Sequence, residues 1–288
     1  MTGVFEGSDR RARGSEEELM PRFSLLTFAR TFLAFGLIGL GVLSLGSGDF
    51  ALNWQPVPNG LPLHEILARL SGVLLVAGGF GLLIRRLATR SALAVSAYWL
   101  LCAGVMHFIR AVEHPFNIGS WLGLAENMLL VCGAYVLYRL LAGMSPPFPV
   151  VARVLLGLGC VVCGLSHFRF AGVTADMIPA WLPGHIFFAL FTGTCHIAAG
   201  LAIIAGVLPR LAATLEAAMI TLFVLLVHVP AVVHAPLGRL QWTMVFIASA
   251  MAACVWAVAA SLETAPFFGQ AEARAPLVLS APESRGTS

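Results

Sequence analysis

Eight apolar runs, each close to 20 residues long, constrain this chain more than any motif does. About 20 residues of helix cross the roughly 30 Å of hydrocarbon in a bilayer, so each run is long enough to span it. The predicted spans are 24–46, 65–84, 91–110, 119–141, 149–168, 185–206, 212–230 and 240–262. The sequence therefore predicts an all-α integral membrane protein with eight transmembrane helices.

The composition indicates lipid rather than water as the solvent. Charged residues make up 11% of the chain, against about 25% in a typical soluble domain. The arginines are dispersed along the predicted helix ends and form no stripe, which argues against a nucleic-acid partner. The lipid bilayer is the expected partner. The polar ends, 1–23 and 264–288, are expected to be cytoplasmic tails, the second of them disordered.

The arginines also predict how the helices insert. With the amino terminus inside, eight arginines lie at cytoplasmic helix ends and four at outer ends. Cytoplasmic loops of membrane proteins are enriched in basic residues, so both termini are predicted to be cytoplasmic. Seven of the eight histidines then lie at outer helix ends or in outer loops, and only His196 lies deeper.

The two halves of the chain resemble each other at a spacing of about 121 residues. The matched pairs include Pro58 with Pro179, His64 with His185, Ser71 with Thr192, and Trp121 with Trp242. We therefore expect two four-helix repeats, 24–141 and 149–262. Four spans is an even number, so the repeats would insert in parallel, related by a pseudo-twofold axis along the membrane normal.

The second repeat carries polar and sulfur side chains that the first repeat lacks. Two sets are spaced so that each lies on one helical stripe, namely Cys160, Cys163 and His167, and then His185, Thr192 and His196. If the two stripes face each other, two thiols and three imidazoles converge in the outer half of the membrane. This cluster is the candidate functional site.

Several chemistries fit the cluster, and the simplest is packing, because Cys is a common small residue between membrane helices. Cys160 and Cys163 are the candidate catalytic residues if the pair cycles between dithiol and disulfide, although the Val-Val spacer offers no helix amino terminus to activate a thiolate. Imidazole suits copper, zinc and haem iron, but no familiar ligand spacing links His167, His185 and His196, so no metal site is assigned. Hydrogen bonding of a quinone carbonyl by His167, His185, Thr192 or His196 fits equally well.

The first repeat holds charge instead of sulfur. Glu65 and Arg69 are spaced i, i+4, and Glu126 lies about seven residues below the outer end of its span. Ionisable groups at such depth are costly and usually paired, so we expect Arg69 to pair with Glu65 or Glu126. The alternative is a role in binding an anionic head group or in moving protons. Glu216 is expected to reach the cytoplasmic interface.

Several stretches of the second half carry a resemblance to a known family. They are Gly164-Leu165-Ser166-His167-Phe168, Met177-Ile178-Pro179-Ala180-Trp181-Leu182-Pro183, Leu190-Phe191-Thr192-Gly193, Ala198-Ala199-Gly200-Leu201-Ala202 and Pro209-Arg210-Leu211-Ala212-Ala213. They resemble the DoxX family of bacterial membrane proteins, which implies a four-helix bundle in each half and a bacterial inner membrane. Some members are linked to quinone-reducing sulfur oxidation or to redox partners, and most have no defined activity. The first half resembles the family only through the repeat.

Two function classes remain open. One is a redox-associated, quinone-binding membrane subunit with its site near the outer face of the second repeat and a redox or other membrane protein as partner. The other is a non-enzymatic small-molecule transporter, or a scaffold that binds a partner. The residues do not decide whether the chain is an enzyme, and among cofactors they favour a quinone over haem or copper.

Overall fold

The structure, a computed structural model, describes residues 24–268. Within that range eight helices are long and apolar enough to cross a membrane. They are α1 (Leu25–Ser47), α2 (His64–Leu83), α3 (Ala88–Glu113), α4 (Ile118–Leu141), α5 (Val150–Arg169), α6 (His185–Ala205), α7 (Pro209–His234) and α8 (Arg239–Ser261). The prediction of an all-α integral membrane protein with eight spans is confirmed. Residues 1–23 and 269–288, which hold most of the two predicted tails, lie outside the described residues.

Helices α3 and α7 are longer than the hydropathy pattern predicts, by three or four residues at each end. Each contains a π-helical segment near its carboxyl end, Ala103–Phe108 in α3 and Val224–His228 in α7. A π segment keeps a helix continuous while it absorbs an extra residue, and such segments are frequent at functional sites. The predicted spans ended at Arg110 and Pro230, whereas the helices continue to Glu113 and His234.

The first two helices of each half approach closely through glycines. A Cβ on Gly72 of α2 would lie 2.8 Å from the Gly41 carbonyl oxygen of α1, and a Cβ on Gly193 of α6 would lie 3.0 Å from the Gly164 oxygen of α5. Small residues at these crossings let the backbones touch, which is how helices associate where lipid offers no hydrophobic driving force. These contacts fix where the side chains of α5 and α6 meet.

The eight helices form two rings that share an edge. The first ring consists of α1, α2, α3, α4 and α8, and the second ring consists of α5, α6, α7, α8 and α4. Helices α4 and α8 pack against each other, α1 packs on α8, and α5 packs on α4. The first helix of each half therefore packs against the last helix of the other half. The halves are interlocked and do not stand side by side as separate bundles.

Matched local features recur in the two halves. The Trp121 indole donates to the Pro115 carbonyl oxygen, and the Trp242 indole donates to the Pro236 oxygen, both at 2.9 Å. The two π segments begin at Ala103 and Val224, which are 121 residues apart, as Trp121 and Trp242 are. These features agree with two repeats, and the pseudo-twofold relationship stays a prediction.

Candidate functional site

A cavity of about 1080 Å³ lies inside the second ring. Its walls come from α4 to α8, from the short helix Ala171–Asp176, from the loop that follows that helix, and from Trp54 in the loop after α1. Most lining side chains are apolar, and the polar or titratable ones are Glu126, Cys163, Ser166, His167, Thr174, Thr192, Cys195, His196, Glu216 and His228. An apolar cavity with a few convergent polar groups is the usual form of a site for a small organic molecule.

His196 and Glu216 form the most buried polar contact of the cavity. His196 Nδ1 lies 2.6 Å from Glu216 Oε1 across the contact between α6 and α7. The two residues are 5% and 1% exposed, so neither reaches an aqueous interface. The expectation that Glu216 reaches the cytoplasmic interface is wrong, because its helix turns this carboxylate inward to His196. The available sequence signal was a single carboxylate in an otherwise uncharged span, 212–230.

His167 is held beside this pair. Its Nδ1 lies 3.1 Å from the Ala189 carbonyl oxygen and 3.0 Å from Thr192 Oγ1. The His167 and His196 rings meet edge to face, with centroids 5.1 Å apart, and both rings pack against Phe223. The structure thus brings together three of the predicted site residues, His167, Thr192 and His196.

The predicted thiol pair is divided between the cavity and the protein core. Both thiols belong to the core formed by α4 to α8, but Cys163 is 7% exposed and lines the cavity, whereas Cys160 is 0% exposed and does not line it. All six cysteines are free. Residues three apart in a helix point in directions that differ by about 60°, and this separates the two thiols.

His185 is not brought to the cavity. It is the first residue of α6, beyond the turn at which Phe188 begins the cavity wall. His185 is therefore excluded from the candidate site, in contrast to the expectation from its stripe with Thr192 and His196. Within residues 24–268 no three His, Cys, Asp or Glu side chains converge as they would around a metal ion.

The predicted polar set of the first half is also divided. Arg69 Nη2 lies 2.6 Å from Glu65 Oε1, and Arg69 Nη1 donates to the Leu45 carbonyl oxygen at 2.8 Å. Arg69 and Glu65 lie at the surface of the bundle, 49% and 67% exposed in their side chains. Glu126, on α4, instead lines the cavity, and so does Trp54 of the loop after α1.

The corresponding space in the first ring is filled by the protein itself. The loop after α1 inserts residues 50–55, and Trp54 and Gln55 are 6% and 1% exposed. The Gln55 amide donates to Ser71 Oγ at 3.3 Å and to the Tyr98 hydroxyl, while its Oε1 accepts from the Ala51 N–H at 2.9 Å. Ser71 is matched with Thr192 in the repeat. The interior of the first ring is therefore plugged by residues 50–55.

Exposed apolar side chains of α6 and α7 border the cavity. These two helices pack less extensively than α5 and α6 do. Phe191, Leu215 and Leu222 line the cavity and are 50%, 60% and 51% exposed. We therefore expect a lipid-soluble molecule to enter the cavity between α6 and α7.

The DoxX family model matches residues 148–229. This segment of the chain is similar to a DoxX domain. The DoxX match contains α5, α6 and most of α7, and so it includes His167, Thr192, His196 and Glu216. It confirms the resemblance for this part of the chain, whereas α4 and α8 complete the cavity from outside the matched residues. No curated protein and no solved structure matches the chain significantly.

Proposed function

We propose that the second-ring cavity binds the head group of a lipid-soluble ring molecule of the quinone class, and that the protein is a redox-associated membrane subunit. The observation that carries the proposal is the pair His167 and His196, set side by side in an apolar cavity bordered by exposed apolar side chains of α6 and α7. Imidazoles form hydrogen bonds with ring oxygens, and apolar walls accept the ring and its tail.

Thr192 and Glu216 orient the two imidazoles in this proposal. Thr192 contacts Nδ1 of His167, and Glu216 contacts Nδ1 of His196. The Nε2 atom of each histidine is therefore left for a ligand. Cys163 adds one thiol to the wall. A dithiol reaction of Cys160 with Cys163 is not supported, because Cys160 is packed in the core.

The test is binding of a short-chain quinone and of its hydroquinone to purified protein in lipid nanodiscs. We expect the His167→Phe variant to bind the form that wild type prefers about tenfold more weakly or worse, because it loses a polar contact in a dry site. His185→Phe is the matched control, since His185 lies within the same family-matched segment but outside the cavity. Equal binding by the two variants, or no binding by wild type, contradicts the proposal.

A second candidate function is small-molecule transport, and one observation favours it. The cavity wall extends from Trp181 and Leu182 in the loop before α6 to Leu208 and Leu211 at the opposite end of the bundle. A continuous wall of this length suits a path along the protein. Faster trans-bilayer movement of a spin-labelled quinone in proteoliposomes, abolished by Ala199→Trp in the cavity wall, would support transport over binding alone.

We further infer that the protein lies in a bacterial inner membrane with both termini cytoplasmic, and that residues 24–141 and 149–262 are parallel repeats. The support is the distribution of arginines together with the matched indole bonds of Trp121 and Trp242. A redox protein or another membrane protein would bind at the predicted outer end of the helix bundle, on the surface above the cavity. Protease accessibility of a carboxyl-terminal tag in inverted vesicles tests the orientation.

A further inference from the structure

The hydrogen bonds of His167 fix which of its ring nitrogens carries the proton. Thr192 Oγ1 donates its own hydrogen to the Phe188 carbonyl oxygen at 2.8 Å, so it can only accept from His167. The Ala189 carbonyl oxygen is also an acceptor only. Nδ1 is therefore the protonated nitrogen of the neutral ring. Nε2 is left with a lone pair and accepts.

His196 and Glu216 add further acceptors to the same wall. With Glu216 ionised, His196 Nδ1 donates to Glu216 Oε1, and Nε2 of the neutral ring is again an acceptor. Glu216 Oε2 is buried and, in the described part of the chain, has no nitrogen or oxygen donor at hydrogen-bond distance, although the weakly donating Cys160 thiol lies beside the carboxylate. If His196 takes up a second proton, His167 Nε2 and Glu216 Oε2 still accept.

The hydroxyl donors beside the histidine pair are already engaged. The Ser166 hydroxyl donates to the Cys163 carbonyl oxygen at 2.6 Å, and the Thr192 hydroxyl donates to Phe188. The Trp54 indole N–H interacts with the Glu126 carboxyl group of α4. Because buried polar atoms without partners are costly, a bound molecule that donates hydrogens to the two histidines is favoured over one that only accepts.

We infer that the cavity selects a hydrogen-bond-donating ring, a hydroquinone, over the corresponding quinone. This rests on the proposed function and specifies the redox form that binds. A hydroquinone hydroxyl can donate to Nε2 of His167 or His196, whereas quinone oxygens only accept. A lipophilic amine shares the donor chemistry but carries a charge and no ring hydroxyl.

The test compares four ligands on wild-type protein in nanodiscs under anaerobic conditions: a decyl hydroquinone, its quinone, its dimethyl ether and decylamine. We expect the hydroquinone to bind about tenfold more tightly than the quinone or the ether. Equal or tighter binding of the quinone or ether overturns the inference while the proposed function stands. Tighter binding of decylamine overturns the assignment to a hydroquinone. If none of the ring compounds binds, the proposed function and the inference both fail.

A nearly isosteric variant tests the cause of the selectivity. In Glu216→Gln the amide oxygen can keep the hydrogen bond from His196 Nδ1, which places the amide NH₂ where Oε2 lies. We expect the preference for the hydroquinone to fall severalfold, because an acceptor has become a donor. A purely structural role of Glu216 would weaken all ligands equally, and that result overturns the inference. Glu65→Gln, at the exposed pair with Arg69, is the control, and the wild-type comparison stands if Glu216→Gln does not fold.

Discussion

Arg239, the first residue of α8, donates a hydrogen bond from Nη1 to Asp49 Oδ2 at 2.7 Å, although 190 residues separate them. Its Nη2 donates to the Phe50 carbonyl oxygen, and His64 Nε2 lies 2.9 Å from Asp49 Oδ1. These contacts fasten the loop that plugs the first ring to a helix shared by both rings. Asp49 thus fixes the position of Trp54, a few residues further on, in the wall of the cavity.

The Asp49 carboxylate is expected to make stability depend on pH. Partial burial raises the pKa of Asp49, but hydrogen bonds from Arg239, His64 and the Phe50 N–H outweigh burial and hold it below its ordinary value of 3.8. A carboxyl group whose pKa is lowered by folding stabilises the fold above its ordinary pKa, and this stabilisation is lost as pH falls through the lower folded value. We expect the apparent unfolding temperature to drop below about pH 4, and Asp49→Asn to make that drop smaller.

Scanning fluorimetry in detergent from about pH 3 to about pH 7 measures this dependence. Asp49→Asn should also lower the unfolding temperature at neutral pH, by the equivalent of about 1 kcal/mol, since the ion pair with Arg239 is partly exposed. Glu65→Gln is the comparison variant, because Glu65 pairs with Arg69 but ties no loop to another helix. A pH profile identical in wild type and Asp49→Asn would show that other carboxyl groups cause the drop.

The spans and part of the site are predictable because they depend on local pattern. Apolar run length predicts a membrane helix directly, and helical spacing places Thr192 and His196 on one face of α6. Glu216 and the Asp49 contact with Arg239 were missed because they depend on which helices pack together, which spacing along the chain does not contain. The plug of the first ring depends likewise on a loop entering a bundle, and loop conformation is not specified by hydropathy.

Gly193 is expected to tolerate no side chain. A Cβ there would lie 2.7 Å from the His167 Cβ and 3.0 Å from the Gly164 carbonyl oxygen. Gly193→Ala should therefore force α6 away from α5, cost about 1–3 kcal/mol through overpacking, and weaken quinone-class binding by moving His167. Gly104→Ala in α3 is the control, because a Cβ at Gly104 has no atom within 4 Å. Equal thermal stability of the two variants would contradict the close contact.

The contact between His196 and Glu216 is expected to show strong coupling. His196→Leu leaves a buried carboxylate without its partner and should cost about 3–5 kcal/mol, whereas the double variant His196→Leu with Glu216→Leu should recover much of that loss. Four proteins, wild type, two single variants and the double variant, complete a double-mutant cycle by thermal unfolding. If the destabilisation by the two single variants is additive in the double variant, His196 and Glu216 do not stabilise the fold through their 2.6 Å contact, and the prediction fails.

Thiol labelling provides a direct view of the cavity wall. In single-cysteine variants we expect N-ethylmaleimide to modify Cys163 at least about tenfold faster than Cys160, because Cys163 lines the cavity and Cys160 is fully buried in the core. Cys195, which lines the cavity from α6 and is only partly buried, should react fastest and serves as the positive control. A bound quinone-class ligand should slow the reaction of Cys163. Equal rates at Cys160 and Cys163 in the folded protein would contradict this placement of the two thiols.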